Sequence, residues 1–199
     1  MRVLLLGATG RTGRRVLARL EDAGHEVVTY GRRPGGGARS LTGAVDDAGA
    51  LARGLEGAEA AISCLASGNR DPVCSAATRA LIEAAARPLR YVVVSGASVA
   101  VPGDVRGPTD RASGALMGLF LGGMLADRAR ELDRLRASPL AWTALRPPRL
   151  TDGRARGAWR FDEGRPHRMK ITREDLAGAV VEALTREDLT RRAPFVSEA

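Results

Sequence analysis

The sequence predicts a doubly wound α/β fold, a mostly parallel β-sheet with helices on both faces. Short continuous apolar runs alternate with helical patterns along the chain, and such runs belong to parallel strands buried on both sides. The first run, VLLL at positions 3–6, empties straight into Gly7, Gly10 and Gly13, which open a helical stretch. Right-handed crossovers between successive parallel strands then set the winding.

Arg2–Leu6 reads as the first strand and Arg11–Ala23 as a helix with Val16, Leu17 and Leu20 on one face. Glu26–Tyr30 is the second strand, and the GRRPGGGARS that follows is too rich in glycine for a helix. Ser40–Val45 is the third strand, and Asp47–Leu55 a helix capped by Asp46 or Asp47. Ala60–Leu65, a helix over Pro72–Ala86, and Arg90–Ser95 complete a five-strand run. After Gly96 the texture becomes loop-like, then helical over about Ala115–Ala137, with a sixth strand at Trp142–Leu145 and Trp142 structural within it. RPPRLTDGRARG reads as a loop, and Ala158–Phe161 with His167–Ile171 as a small hairpin. Thr172 followed by Asp175 resembles a capping box opening a further helix, and Pro194–Val196 is a last edge strand. Without repeats or a Ser- or Pro-rich linker, residues 1–199 read as one domain, with residues from about 96 supplying substrate-side loops and a lid. The apolar segment Ala115–Leu125 suits core or a subunit contact, while Gly118, Gly122 and Gly123 suit a mobile lid.

Composition narrows the classes. An apolar fraction of 44% and a charged fraction of 27% are ordinary for a globular protein. The net charge of +8 comes from arginines scattered among acids without interleaved aromatics, which describes a solvated surface and no nucleic-acid partner. Cys64 and Cys74 form neither a disulfide framework nor a metal knuckle, and Cys64 reads as a small buried hydrophobe. No metal site is expected. The longest apolar stretch, Ala115–Ala126, is broken by glycines and falls short of the ~20 residues of a membrane span. With no leader segment in view, the expected setting is a reducing cytoplasm, without membrane contact, for a monomer or homodimer.

A strand running into glycines and then a helix is an anion site, because the unpaired amides and the positive dipole end point outward together. Gly7 permits the turn, Gly10 admits a pyrophosphate close to the backbone, and Gly13 lets the helix lie against the strand. Ala8, Thr9, Arg11 and Thr12 fill the intervening places of this G-x-x-G-x-x-G, which differs from the common G-x-G-x-x-G. At the end of strand two, an NAD site would show an acid for the ribose hydroxyls. Here Tyr30 and Gly31 lead to Arg32 and Arg33. A guanidinium fork matches a phosphate, so the expected cofactor is NADPH/NADP, with NAD less favoured.

With these residues in place, the chain resembles an atypical short-chain dehydrogenase/reductase, in the NmrA-like NAD(P)H-binding group that includes flavin and biliverdin reductases. The resemblance runs through GATGRTGRRV, VVTYGRRP, GLEGAEAAISCLAS, RYVVVSGAS, LRASPLAWTALRPPRLTDG and MKITREDLAGAVVEAL. It implies a Rossmann fold in which Gly7 to Gly13 hold the pyrophosphate and the strand-two arginine holds the 2′-phosphate. It also implies that Leu65, Ala66 and Ser67 border the cofactor, and that the backbone at Pro147 and Pro148 borders the nicotinamide. The departures are informative. Where the group often carries Gly-Asp against adenine this chain has Ala44, so adenine would meet Ala44 and Val45 by packing, leaving Asp47 as a helix cap. The Y-x-x-x-K pair of the full dehydrogenase pattern falls near Met124 and Arg128, leaving Arg128 to hold the ribose. Ser95, Ala97 and Ser98 compete for the place of the group's serine, with Ser95 also beside the cofactor.

Tyr30 and Tyr91, the chain's two tyrosines, cannot fill the tyrosine's place. Carbonyl reduction wants a general acid worth roughly 10²–10⁴-fold. His25 reads as a surface residue and His167 lies in a polar loop, so neither is a strong candidate. Hydride transfer to a conjugated flavin- or quinone-like ring leaves a delocalised anion that water can protonate, so orientation suffices. The expected activity is therefore NADPH-dependent reduction of such an aromatic or quinonoid acceptor. Ser98 would hydrogen-bond the nicotinamide amide or the acceptor, and Arg149 would steer an anionic one. The alternative is an NADP(H)-binding redox sensor that turns over nothing. An epimerase is disfavoured, since it too needs the tyrosine.

Overall fold

The computed structural model describes every residue except 38 and 106, and describes 108–120 by backbone alone. Its centre is a parallel sheet of six strands: β1 (Arg2–Leu6), β2 (Glu26–Gly31), β3 (Arg39–Thr42), β4 (Ala60–Ser63), β5 (Arg90–Val94) and β6 (Ala141–Leu145). They lie in the order β3-β2-β1-β4-β5-β6, which reverses direction between β1 and β4, as a doubly wound sheet does. Registers such as Leu6↔Tyr30, Leu6↔Ser63 and Val94↔Leu145 bring all the carboxyl ends to one edge.

Strand alternation divides the core in two. Val3 and Leu5 face α1 (Arg11–Asp22) and α5 (Arg173–Ala183), packing with Val16, Leu20, Leu176 and Val180. Leu4 and Leu6 face α2 (Ala48–Leu55), α3 (Val73–Ala84) and α4 (Pro108–Ala137), packing with Leu51, Leu81, Leu132 and Leu135. Both faces are covered, which is why these strands carry unbroken apolar runs. The buried face of α1 is Gly13, Val16, Leu17 and Leu20, the stripe its periodicity predicts.

Boundaries differ where side chains interrupt the ladder. The third strand, expected to reach Val45, ends at Thr42. A Cβ on Gly43 would stand 2.4 Å from the Tyr30 hydroxyl, so the chain turns there beneath that ring. Helix α4 starts earlier than its periodicity suggests and kinks at Leu121 (φ −123°, ψ 19°) beside Gly122 and Gly123. The side chains of Ala115–Phe120, read as core or contact, lie outside the described set, and so does Gly118 as part of the lid reading.

The expected hairpin of Ala158–Phe161 with His167–Ile171 is corrected. β8 (Trp159–Asp162) pairs antiparallel with β10 (Phe195–Glu198), and β9 (Lys170–Thr172) pairs parallel with β7 (Arg149–Thr151), inside a stretch expected to be loop. The long-range partners win because both bury apolar residues: Val196 and Ile171 are fully enclosed beneath α5. Bridges Thr143↔Arg192 and Arg146↔Phe195 lay the segment before β10 along the outer edge of β6. No helix among the described residues is long and apolar enough to cross a membrane.

Candidate functional site

β1 ends at Leu6 and the chain turns at Gly7 (φ +81°), a conformation L side chains rarely adopt. A Cβ there would lie 2.9 Å from the Cys64 carbonyl carbon at the end of β4. The Gly10 amide donates to the Gly7 carbonyl at 3.0 Å, and Gly10 is the N-cap of α1 with no capping side chain. A Cβ on Gly13 would stand 2.0 Å from the Gly7 oxygen, so the helix rests directly on the turn. The first intrahelical bond shown is Arg14 N–H to the Gly10 carbonyl, and the first turn carries no acid. Positive dipole and unspent amides thus face the open end of the sheet. Ala8 is buried, while Thr9, Gly10 and Arg11 are exposed and Thr12 half-buried. Asp152, after β7, accepts from Arg11 (3.3 Å) and Arg173 (2.9 Å), tying the start of α1 to the start of α5.

Beside this turn, β2 delivers Arg32 and Arg33, both exposed and without an ion pair among the described residues. The chain after them folds back closely: a Cβ on Gly35 would meet that of Ala8 at 2.9 Å, and Thr29 Oγ1 donates to the Gly36 carbonyl at 2.9 Å. Past β3, the Tyr30 hydroxyl donates to the Ala44 carbonyl at 2.6 Å, and burial raises its pKa. Val45 is half-buried, and Asp47 caps α2 by accepting from the Ala50 amide at 2.9 Å.

The turn after β4 is fastened to α4 at three points. Ser67 is buried and donates to Asp127, which also accepts from the Ser75 hydroxyl and from the Cys74 (2.9 Å) and Ser75 (3.3 Å) amides. Pro72, the N-cap of α3, offers no capping group of its own, so a carboxylate from α4 caps α3 instead. Burial opposes the Asp127 charge, but these donors outweigh it and hold the carboxyl below its usual range. Arg128 donates to the Leu65 carbonyl at 2.6 Å and to Glu131 at 2.7 Å. Its side chain is only 10% exposed and holds the backbone of the turn. Glu131 also accepts from Thr78, whose hydroxyl lies 3.3 Å from that of Tyr91, and burial drives the Tyr91 pKa up. Asn69 Oδ1 accepts from the Gly123 amide at 2.8 Å, capping α4 afresh just past its kink. Met124, near which the resemblance sets the tyrosine's place, is half-buried next to this cap. Sequence reasoning missed Asp127, Glu131 and Asn69. The available signal was a helix opening on Pro72 without a capping residue, with acids recurring on the apolar side of the next helix.

At β5 and β6, the Ser95 amide donates to the Leu145 carbonyl (2.8 Å) and the Ala97 amide to that of Pro147 (3.0 Å). The two post-strand turns are therefore bound together, with Ser95 half-buried, Ser98 exposed, Pro147 buried and Pro148 half-buried. Arg149 is exposed in β7. His25 sits at the opposite, amino-terminal edge just before β2, and His167 is exposed between β8 and β9. Burial pushes the thiols up, Cys64 to about 12 and Cys74 to about 11. No His/Cys/Asp/Glu group suited to a metal occurs among the described residues.

The glycine turn, Arg32–Arg33, the Leu65–Ser67 turn, Ser95 and Pro147–Pro148 thus follow the carboxyl ends of β1, β2, β4, β5 and β6 along one sheet edge. A crevice at such an edge, where strand order reverses, is where doubly wound folds bind nucleotides. Comparison with known proteins agrees. The structure resembles the anaerobilin reductase ChuY of Escherichia coli O157:H7, at 21% identity and TM-score 0.80, over 100% of this chain and 97% of that one. It resembles the oxidoreductase YlbE of Lactococcus lactis at 18% and 0.80, over 100% and 91%. It also resembles a short-chain dehydrogenase/reductase of Veillonella parvula in complex with NADP, at 18% and 0.79, over 99% and 94%. These likenesses establish the fold alone. Among curated proteins, none matches the sequence. The model of the NAD(P)H-binding family, however, matches residues 7–187, the glycine turn included, and the chain belongs to that family.

Proposed function

We propose that the protein is an NADPH-dependent oxidoreductase that transfers hydride to a flavin- or quinone-like acceptor. The reading rests on one observation: neither tyrosine hydroxyl is placed to give a proton at the edge where the cofactor would bind. Tyr30 is spent on the Ala44 carbonyl and Tyr91 is buried beside Thr78, with Met124 where a proton-donating tyrosine would stand. A conjugated acceptor dispenses with such an acid, because its reduced anion is delocalised and takes a proton from water.

The residues fit the dinucleotide. The cradle at Gly7 and Gly13 is one that a Cβ would fill, and its amides suit a diphosphate. Arg32 and Arg33 suit the 2′-phosphate, and Val45 the adenine. Leu65, Ala66, Ser67, Ser95, Pro147 and Pro148 would line the remainder. When bound, the reduced nicotinamide supplies two electrons as hydride. The chain's part is to orient it and to stack the acceptor against it, within loops drawn from residues 96–199. Arg128 serves as a positioning residue, holding the Leu65 carbonyl. Ser98 and Arg149, exposed at that end, would contact the acceptor. The reductase described for ChuY and the NADP bound in the Veillonella structure support this class of chemistry.

The test is to mix the purified protein with NADPH and a panel of flavins, quinones and simple aldehydes, following nicotinamide absorbance. Consumption with ring acceptors and none with aldehydes is expected. Tight NADPH binding without consumption by any acceptor would replace the reductase with an NADP(H) sensor. Absence of binding by either NADPH or NADP⁺ in calorimetry would overturn both.

A further inference from the structure

We propose a second ligand site, for a small organic carboxylate, on the outer edge of β6 and apart from the dinucleotide crevice. A cavity of about 270 Å³ opens there. Its walls come from the loop after β5 (Val101 to Asp104), the face of β6 (Trp142 and Arg146), the end of α4 (Arg136) and the segment Arg191 to Ala193. Glu163 and Gly164 close the rim. None of its lining residues is among those placed along the dinucleotide crevice, whose share of β6 is the Pro147–Pro148 turn that follows Arg146. The volume lies just below the usual range for small-molecule pockets, so it suits a compact ligand and excludes a dinucleotide.

Three features define the ligand. The first is charge: four arginines line the cavity against two acids, Asp104 and Glu163. Asp104 is consumed by a bidentate pair with Arg146 (2.7 and 2.8 Å), and Glu163 pairs with Arg192. Arg191 meets carbonyls rather than a carboxylate among the described residues, donating to Ser138 and Arg136 at 2.8 Å each. Arg136 pairs with Asp133, outside the lining, at 3.3 Å, so the exposed Arg191 is the lining guanidinium without a carboxylate partner among the described residues, and an anion is attracted there. The second is an orphaned donor. Trp142 is 3% exposed, and its Nε1 is buried without an acceptor among the described residues. Buried polar groups are nearly always paired, and an indole N–H can only donate, so the missing partner is an acceptor such as a carboxylate oxygen. The third is shape: Val101, Pro102 and the indole supply apolar wall, which suits a ligand with a flat hydrophobic body rather than a bare inorganic anion.

The probe is benzoate, with benzamide as its neutral counterpart and inorganic phosphate as the bare anion. Calorimetry should show benzoate binding at millimolar concentration or better, unaffected by saturating NADP⁺, with benzamide and phosphate far weaker. One of the two indole N–H resonances, identified by its loss in Trp142→Phe, should move with benzoate. Trp142→Phe keeps the ring and deletes the donor, and should weaken benzoate about tenfold or more. Glu163→Gln, at an exposed rim position, should tighten it severalfold without threatening the fold. Equal binding of benzamide, phosphate binding in place of benzoate, displacement by NADP⁺, or no binding at all would each overturn the proposal. Loss of NADPH turnover with benzoate binding intact would count against the reductase reading alone.

Discussion

Replacing Asp127 with alanine tests whether a carboxylate from α4 holds the α3 terminus and the turn after β4. The side chain is fully buried and accepts from two amides and two hydroxyls. The hydroxyls of Ser67 and Ser75 can rotate to other acceptors; the Cys74 and Ser75 amides cannot. Each stranded amide costs about 1–3 kcal/mol, so D127A should lose about 3 kcal/mol of stability. For a chain of this size that lowers Tm by roughly 6–12 °C. D127N keeps one acceptor oxygen for the amides and should lose only about 1 kcal/mol. The effect should also depend on pH. A carboxyl more acidic in the folded protein than in the unfolded chain, where its pKa is about 3.9, stabilises fully above that value. That stabilisation is lost as pH falls through the depressed folded pKa. Thermal unfolding of wild type, D127A and D127N at neutral and acidic pH measures all of this. Equal Tm values for wild type and D127A, or an alanine–wild-type gap that widens in acid, would refute the tertiary cap.

Three other outcomes follow from the same geometry. Arg32→Ala with Arg33→Ala should weaken NADPH about 10- to 100-fold and NADH by much less, since charge-assisted bonds to the 2′-phosphate are lost only for the former; equal losses in paired titrations would contradict the assignment. Gly13→Ala puts a Cβ 2.0 Å from the Gly7 oxygen, so α1 must move off the turn. A Tm drop together with loss of dinucleotide affinity is expected, and a variant of unchanged stability and affinity would show that the helix is not seated there. With thiols at about 12 and 11, Cys64 and Cys74 should resist an aromatic disulfide reagent at mildly alkaline pH in the native protein. Both should react once it is unfolded, and rapid native labelling would disprove the raised thiol pKa values of Cys74, which is buried, and of Cys64, which is half-buried rather than the fully buried hydrophobe the sequence suggested.

Much of the molecule was legible locally. The apolar runs gave five of the six sheet strands within two residues, because a strand buried on both faces must be apolar throughout. The glycine turn was readable for a related reason. A positive φ at Gly7 and backbone contact at Gly13 leave no room for a side chain, and that exclusion is written into residue type. Asp47 was visible as a cap because its partner amide is three residues away. The C-terminal third was less readable. β8 looked like half of a hairpin with the segment near β9, yet its partner, β10, lies more than thirty residues on, and the energy that chooses between them is burial under α5.

By itself, then, the sequence determined the winding of the sheet, the cradle at its first turn and the want of a tyrosine on the long helix. Each is a property of residue type at short spacing. The tertiary structure alone decided that Arg128 grips the Leu65 carbonyl, that Asp127 caps α3, that Asn69 restarts α4, and that the Trp142 indole N–H is buried without an acceptor among the described residues. Those contacts join residues some fifty or more positions apart, or depend on a partner's absence across the packed interior. Their energies arise only once desolvation has removed water as the competing partner, and no local pattern of side chains encodes that.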